Sequence, residues 1–355
     1  MKKLTALLAM VLLASLMAMT AQAGPLGLDK PIELRFAYGE ADSWPGKGNY
    51  APFPEEAMAK YFKAYVESRS NGMIKVKLLG NSIMGSNKQV TEMVRSGSLD
   101  LCTSTGSLGS MFPAFDMIYL PYVFQSEEIA WWVFDNSKFW KDLMAEMEQK
   151  TNMVYLGMGQ NGVRNFTNNV RPIKTPADLK GLKIRVMESP IYVKMMDALG
   201  AQATPIGWNE LYTSLQTKVV DGEENPVSII CAGKLYEVQK YLTLDGHTWS
   251  EDLLTMNAPK FHKLPAEAQQ LIMAAGRRAA IAGREAEEYN TLLLKMPIIQ
   301  KNMEVYTPTS AELAQFKTVA RPPVEKWLRE RVGDEKVDNF LKAVEEAETA
   351  LGYKK

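Results

Sequence analysis

Histidine and cysteine are scarce in this chain: 355 residues hold two of each, His247, His262, Cys102 and Cys231. Two histidines cannot build a His-rich catalytic metal centre. Two cysteines cannot build a disulfide scaffold, although an oxidising compartment would allow one bridge. Cys102 sits in the strand-like SLDLCTS and Cys231 in the apolar IICAG. Both read better as small buried hydrophobes than as a pair. Net charge is missing too. Lys plus Arg number 41 and Asp plus Glu number 41, which leaves no basic excess to hold nucleic acid or an anionic membrane face. Beyond residue 23 no apolar run approaches the ~20 residues of a membrane span. The nucleophile motif GxSxG is absent, and so little histidine leaves few options for a Ser-His-Asp triad.

What is present begins at the N-terminus. Residues 1–23 combine Lys2 and Lys3, an apolar run, and Ala21-Gln22-Ala23. That is the pattern of a secretory signal peptide cleaved after Ala23, and it predicts a soluble protein outside the cytoplasmic membrane. Removing 23 of 355 residues leaves 332, a length that suits two domains. With 46% hydrophobic and 23% charged residues, the chain has the composition of a packed protein rather than a disordered one.

The periodicity is that of an α/β protein. PIELRFAY alternates as a strand over 32–38, and EEAMAKYFKAYVESRS places Ala57, Tyr61, Phe62 and Tyr65 at helical spacing. MIKVKLLG, the helix NKQVTEMVRS stopped at Gly97, and LDLCTST follow. This β-α-β-α-β order predicts a largely parallel sheet with helices on its faces. NMVYLGMG is a further strand. The pattern then restarts with LKIRV, the helix SPIYVKMMDALG, AQATPI, the helix WNELYTSLQTKV and the acidic loop DGEENP. A second α/β domain is therefore expected from near residue 160. The Ala-rich stretch from Pro265 to Met296 reads as one long helix, or two with a bend near Gly276 or Gly283.

Few segments suggest chemistry. Gly157-Met158-Gly159-Gln160-Asn161-Gly162 matches GxGxxG after a strand, but the dinucleotide fingerprint needs a helix to begin there. VRNFTNNVRP is a poor helix, so a Gly-rich crossing between strands is the better reading. The Ser/Gly loop at 106–110 is either a plain turn or a set of hydroxyls and amides facing a ligand. Arg185 lies inside the strand LKIRV, where burial is costly unless its planar fork meets an anion. Arg164 follows the Gly-rich strand end. Asn225 either caps the helix after Pro226 or offers its amide to a ligand. Trp208 precedes a helix, a position suited to a lid.

Together these segments resemble the periplasmic substrate-binding proteins of tripartite ATP-independent (TRAP) transporters of the DctP type. KTPADLKGLKIRV and ELYTSLQTKVVDGEENP carry the likeness most specifically, and it covers nearly all of the chain after residue 23. The resemblance implies two α/β domains with a ligand cleft between them, joined by crossing strands and a long spanning helix. Residues 24–160 plus about 250–290 would form domain I, and 161–249 plus about 291–355 domain II. It implies a periplasmic binding protein, neither enzyme nor cofactor or metal carrier, that delivers a small organic anion to small and large integral membrane subunits. By the same resemblance Arg185 pairs with a ligand carboxylate, and Arg164, Asn225 and Trp208 line domain II. Thr105, with Ser104 and Ser107 beside it, and Tyr38, Gly39 and Glu40 line domain I. His247 and Trp249 occupy the later crossing segment.

Two positions depart from the family's sialic-acid binders, which carry an Asn after the first strand and a Glu in the third. Here those positions are Gly39 and Thr105. Sialic acid is not expected, and the loss of the acid predicts a more positive cleft. The expected ligand is a C4-dicarboxylate, a hydroxy or keto acid, or a small sulfonate such as isethionate. The competing reading is a secreted α/β enzyme acting on a small organic acid.

Overall fold

The computed structural model describes residues 25–41 and 51–354. The proposed signal peptide and its cleavage point after Ala23 lie outside them. Among the described residues, no helix is long and apolar enough to cross a membrane.

The chain opens with β1 (Ile32–Ala37), α1 (Pro54–Arg69), β2 (Ile74–Leu79), α2 (Asn87–Ser96) and β3 (Leu101–Ser104). β1 pairs in parallel with both β2 and β3. α2 carries both of its end signals: Ser86 and Gln89 form a capping box, and Gly97 closes the helix at φ 81°. A 3-10 stretch (Pro113–Tyr119), α3 (Glu127–Asn136) and α4 (Lys138–Thr151) lead to β4 (Met153–Asn168). The second half contributes β5 (Lys183–Val186), α5 (Pro190–Leu199), β6 (Gln202–Pro205), α6 (Trp208–Gln216), β7 (Gly222–Asn225) and α7 (Val227–Ala232). Then come β8 (Tyr241–Asn257), α8 (Ala258–His262), α9 (Ala266–Tyr289), α10 (Met296–Asn302), β9 (Glu304–Tyr306), α11 (Ser310–Val332) and α12 (Asp334–Ala350).

All strands belong to one sheet of order β2-β1-β3-β8-β4-β7-β5-β6, with β9 on β8. Each end of the sheet is a parallel wing, β2-β1-β3 or β7-β5-β6. The long antiparallel pair β4 and β8 passes between the wings and gives one lobe at each end. Three register shifts interrupt that pair, at Tyr155/Gly157, Gln160/Gly162 and Arg164/Phe166. Such bulges bend and twist a ribbon. The expected boundaries at 160/161 and 249/250 fall inside β4 and β8. The GxGxxG segment is part of β4, a crossing strand with no helix after it.

Two local expectations are corrected. DGEENP is not a loop, because Gly222–Asn225 forms β7 and pairs antiparallel with Asn165–Asn168 of β4. Its acids survive burial because Thr167 and Arg164 of the neighbouring strand bind them. The long helix does not bend at Gly276 or Gly283. A Cβ at Gly276 would lie 2.5 Å from the Leu156 carbonyl oxygen, and one at Gly283 would lie 2.6 Å from Met58 Cγ. Both glycines let α9 lie directly on β4 and α1. The irregularity comes later, in a π-helical turn at Asn290–Lys295. Cys102 and Cys231 are both buried and unpaired, as the composition suggested.

The apolar cores follow the lobes. Phe36, Met58, Phe62, Leu254 and Ile272 fill the first lobe, and Leu211, Leu215, Ile230 and Ile299 sit under the end of the second. The largest cluster joins the two, with Phe115, Trp140, Ile184, Tyr192 and Phe340.

Candidate functional site

The C-terminal ends of both parallel wings open on one narrow cavity of about 40 Å³. Open α/β sheets bind ligands at such strand ends. Gly39, Glu40, Glu55, Asn87 and Thr105 form the first-lobe wall. Arg185, Met187, Trp208, Asn225 and Ile229 form the second, and Asn161 and Arg164 come from the crossing strand β4. The lobes touch across this space: a Cβ at Gly106 would lie 2.7 Å from Met187 Cε, and one at Gly207 would lie 3.4 Å from Ser86 Cβ. The structure is thus a closed form.

Arg185 is only 2% exposed. Its Nε donates to the Ile206 carbonyl oxygen at 2.9 Å. Among the described residues no carboxylate forms a salt bridge with it, and its other N–H groups have no protein acceptor. Burial pulls its pKa down to about 10, against the pull of Glu224 and Glu223. A guanidinium with four free donors in a buried cavity is a site for a planar anion.

Arg164 differs. It is fully buried, and its Nε and Nη2 donate to the Glu224 carboxylate at 2.5 and 2.9 Å. Nη2 also donates to the Glu224 carbonyl oxygen. Nη1 donates to Asn161 Oδ1 at 3.2 Å and Ser250 Oγ at 3.4 Å. Burial opposes its charge, but Glu224 overrides that and raises its pKa. The same pair holds Glu224 below the usual carboxylate range against burial. The expectation of a more positive cleft is therefore corrected at Arg164, which is neutralised within the protein.

His247 supports this unit and does not line the cavity. It is buried and stacked on Phe166 at 4.3 Å between ring centroids. Nδ1 lies 3.0 Å from Asp245 Oδ2 and Nε2 lies 3.3 Å from Glu224 Oε2. Burial disfavours its charge, but the two carboxylates push its pKa up to about 9. Asn225 is not a helix cap: its Nδ2 donates to Glu223 Oε2 at 2.5 Å, which leaves its carbonyl to the cavity. Trp208 opens α6. Its ring lies over Gly233, where a Cβ would come within 2.7 Å of Cη2.

Acids dominate the first-lobe wall. Glu40 follows β1, and its Oε2 accepts from the backbone N–H groups of Glu55 and Glu56 at 2.8 and 3.2 Å. Glu55 returns the arrangement, with Oε2 accepting from Gly39 and Glu40 N–H at 2.6 and 3.1 Å. The first turn of a helix supplies free N–H groups for such contacts. Burial, then mutual repulsion with Asp252 nearby, raises both carboxyls, Glu55 to about 8. Thr105 Oγ1 donates to Asp252 Oδ1 at 2.7 Å.

The structure thus brings Arg185, Arg164, Asn225, Trp208, Thr105, Gly39 and Glu40 together. Tyr38 does not line the cavity. Its ring packs edge-on against Phe36 in the lobe core and lies over Gly80, where a Cβ would meet it at 2.5 Å. Trp249 is also set back, donating to Gln160 Oε1 at 3.0 Å, and Ser104 is buried behind Thr105. Ser107 lines a recess adjoining the cavity. Sequence reasoning missed Glu55, Asn87, Asn161, Met187 and Ile229. Glu55 and Asn87 each stand in the first turn of a helix beside a strand end, which is a usable signal.

Residues 50–330 match DctP, described as bacterial extracellular solute-binding protein, family 7. The 2,3-diketo-L-gulonate-binding periplasmic protein YiaO of Escherichia coli is 34% identical over 222 residues, 62% of this chain and 67% of its own. The ectoine-binding periplasmic protein TeaA of Halomonas elongata is 30% identical, covering 82% of this chain and 87% of its own. The solved structure of the sugar acid binding protein DctPAm from Advenella mimigardefordensis, in complex with galactonate, superposes with a TM-score of 0.83. It is 31% identical and covers 90% of this chain and 99% of its own. The chain belongs to the family 7 bacterial extracellular solute-binding proteins.

Proposed function

We propose that this protein is the periplasmic solute-binding component of a TRAP transporter, exported by residues 1–23. It captures a small organic acid by its carboxylate on Arg185 and hands it unchanged to membrane subunits. Arg185 carries this reading, as a buried cation in an interlobe cavity with open donors and no salt bridge among the described residues. The division into lobes near 160/161 and 249/250 makes β4, β8 and α9 the elements about which closure turns. Closure is driven only by contacts stronger in the closed state, and a ligand held between Arg185 on one lobe and Thr105 and Glu40 on the other supplies them. The relatives named above, which take diketogulonate, ectoine and galactonate, support an organic-acid ligand.

Calorimetry with galactonate, succinate and isethionate tests the reading, alongside recovery of the ligand after denaturation. The expected result is micromolar or tighter binding of at least one acid, its chemical identity unchanged. A chemically altered ligand would favour the enzyme reading instead.

A further inference from the structure

The cavity end formed by the first lobe poses a separate question from the arginine. Glu40 and Glu55 each place one oxygen on backbone N–H groups, yet the Oε1 atom of each is buried without a well-formed hydrogen bond among the described residues, the Thr103 hydroxyl being the side-chain donor beside Glu55. Both side chains line the cavity and are 5% and 3% exposed. Asp252 stands behind them, with Oδ1 taken by Thr105 and Asn161 and Oδ2 unpartnered. A buried acceptor left without a donor is unfavourable. This end of the cavity therefore calls for a ligand that brings hydrogen-bond donors.

The candidate anions separate on this point. A second carboxylate placed here would bring only acceptors and negative charge toward Glu40, Glu55 and Asp252. Hydroxyl groups bring donors without charge, and they also accept from a carboxyl that holds a proton, as burial favours for this pair. We infer that Glu40 and Glu55 form a hydroxyl-reading subsite, which makes the ligand a polyhydroxylated monocarboxylate and excludes dicarboxylates. The inference rests on Arg185 being the carboxylate anchor.

The test uses calorimetry on the mature protein at neutral pH with galactonate, hexanoate, succinate and ectoine. Galactonate is expected to bind at least tenfold tighter than succinate and ectoine, and at least a hundredfold tighter than hexanoate, which keeps the carbon chain and carboxylate but has no hydroxyls. Glu55→Gln and Glu40→Gln are expected to reduce the galactonate-to-succinate preference at least tenfold. The ligand series needs no variant, so a misfolded variant does not blunt the test. Succinate or hexanoate binding within threefold of galactonate would overturn the inference, while Arg185-dependent binding of either would leave the proposed function standing. Tightest binding of ectoine would overturn it in favour of a cation-reading end. Binding of no acid would remove both readings.

Discussion

Arg164 and Arg185 lie on strands separated only by β7, both buried and both lining one cavity. Arg164 has every donor engaged by Glu224, Asn161 and Ser250. Arg185 has one donor engaged, by a carbonyl oxygen. Burial acts on both, yet it is overridden at Arg164 and prevails at Arg185. A saturated buried charge is part of the framework, whereas an unsaturated one is available to a ligand.

The largest effect should come from breaking the saturated member. Arg164→Met would leave buried Glu224 with only His247 beside it, and loss of one partner of a buried pair costs about 3–5 kcal/mol. Urea unfolding of the ligand-free protein measures this, and an unchanged midpoint would dissolve the contrast. Arg185→Lys should leave that midpoint nearly unmoved and weaken acid binding about a hundredfold, some 2.7 kcal/mol, because Lys keeps charge but loses the fork. Equal affinities by calorimetry would remove Arg185 from the site.

His247 sharpens the comparison through pH. Its folded pKa is raised to about 9 from an unfolded value of about 6.5. Its contribution is thus fully present below about pH 6.5 and is lost as pH rises through about 9. The stability of the wild type should fall between pH 7 and 9.5 by an amount on the order of 1–2 kcal/mol, read as a lower melting temperature. His247→Gln should flatten that fall, and a fall of the same size in the variant would place the titration elsewhere. The smallest effect is expected at Arg171→Lys. Arg171 donates only to the carbonyl oxygens of Asp178 and Lys180 outside the cavity, so affinity and stability should both stay within about 0.5 kcal/mol.

Much of the fold was legible because its signals are local. Gly97 and Ser86 bound α2, and Leu34 and Phe36 alternate into the core. That same alternation puts Tyr38 on the core side, so its absence from the cavity was readable from the strand that carries it. Arg185, Asn225, Trp208 and Glu40 were reachable from the family motifs and from strand ends. Glu55 was overlooked because a glutamate in the first turn of a helix ordinarily reads as a favourable charge near the helix dipole. DGEENP was misread because Gly, Asp and Pro are turn residues locally, whereas Arg164 and Thr167, far away in sequence, decide that its acids can be buried.

The sequence by itself determined the α/β order of elements, the scarcity of metal and nucleophile chemistry, and an arginine set inside an apolar strand. Composition and short-range periodicity suffice for these. Only the tertiary structure decided which arginine is free. The pairing of β4 with β7 brings Glu224 to Arg164 across 60 residues, and among the described residues no acid forms a salt bridge with Arg185. A charge is neutralised by the groups that surround it in space, and burial makes that local balance decisive, since water is not there to screen an unpaired charge.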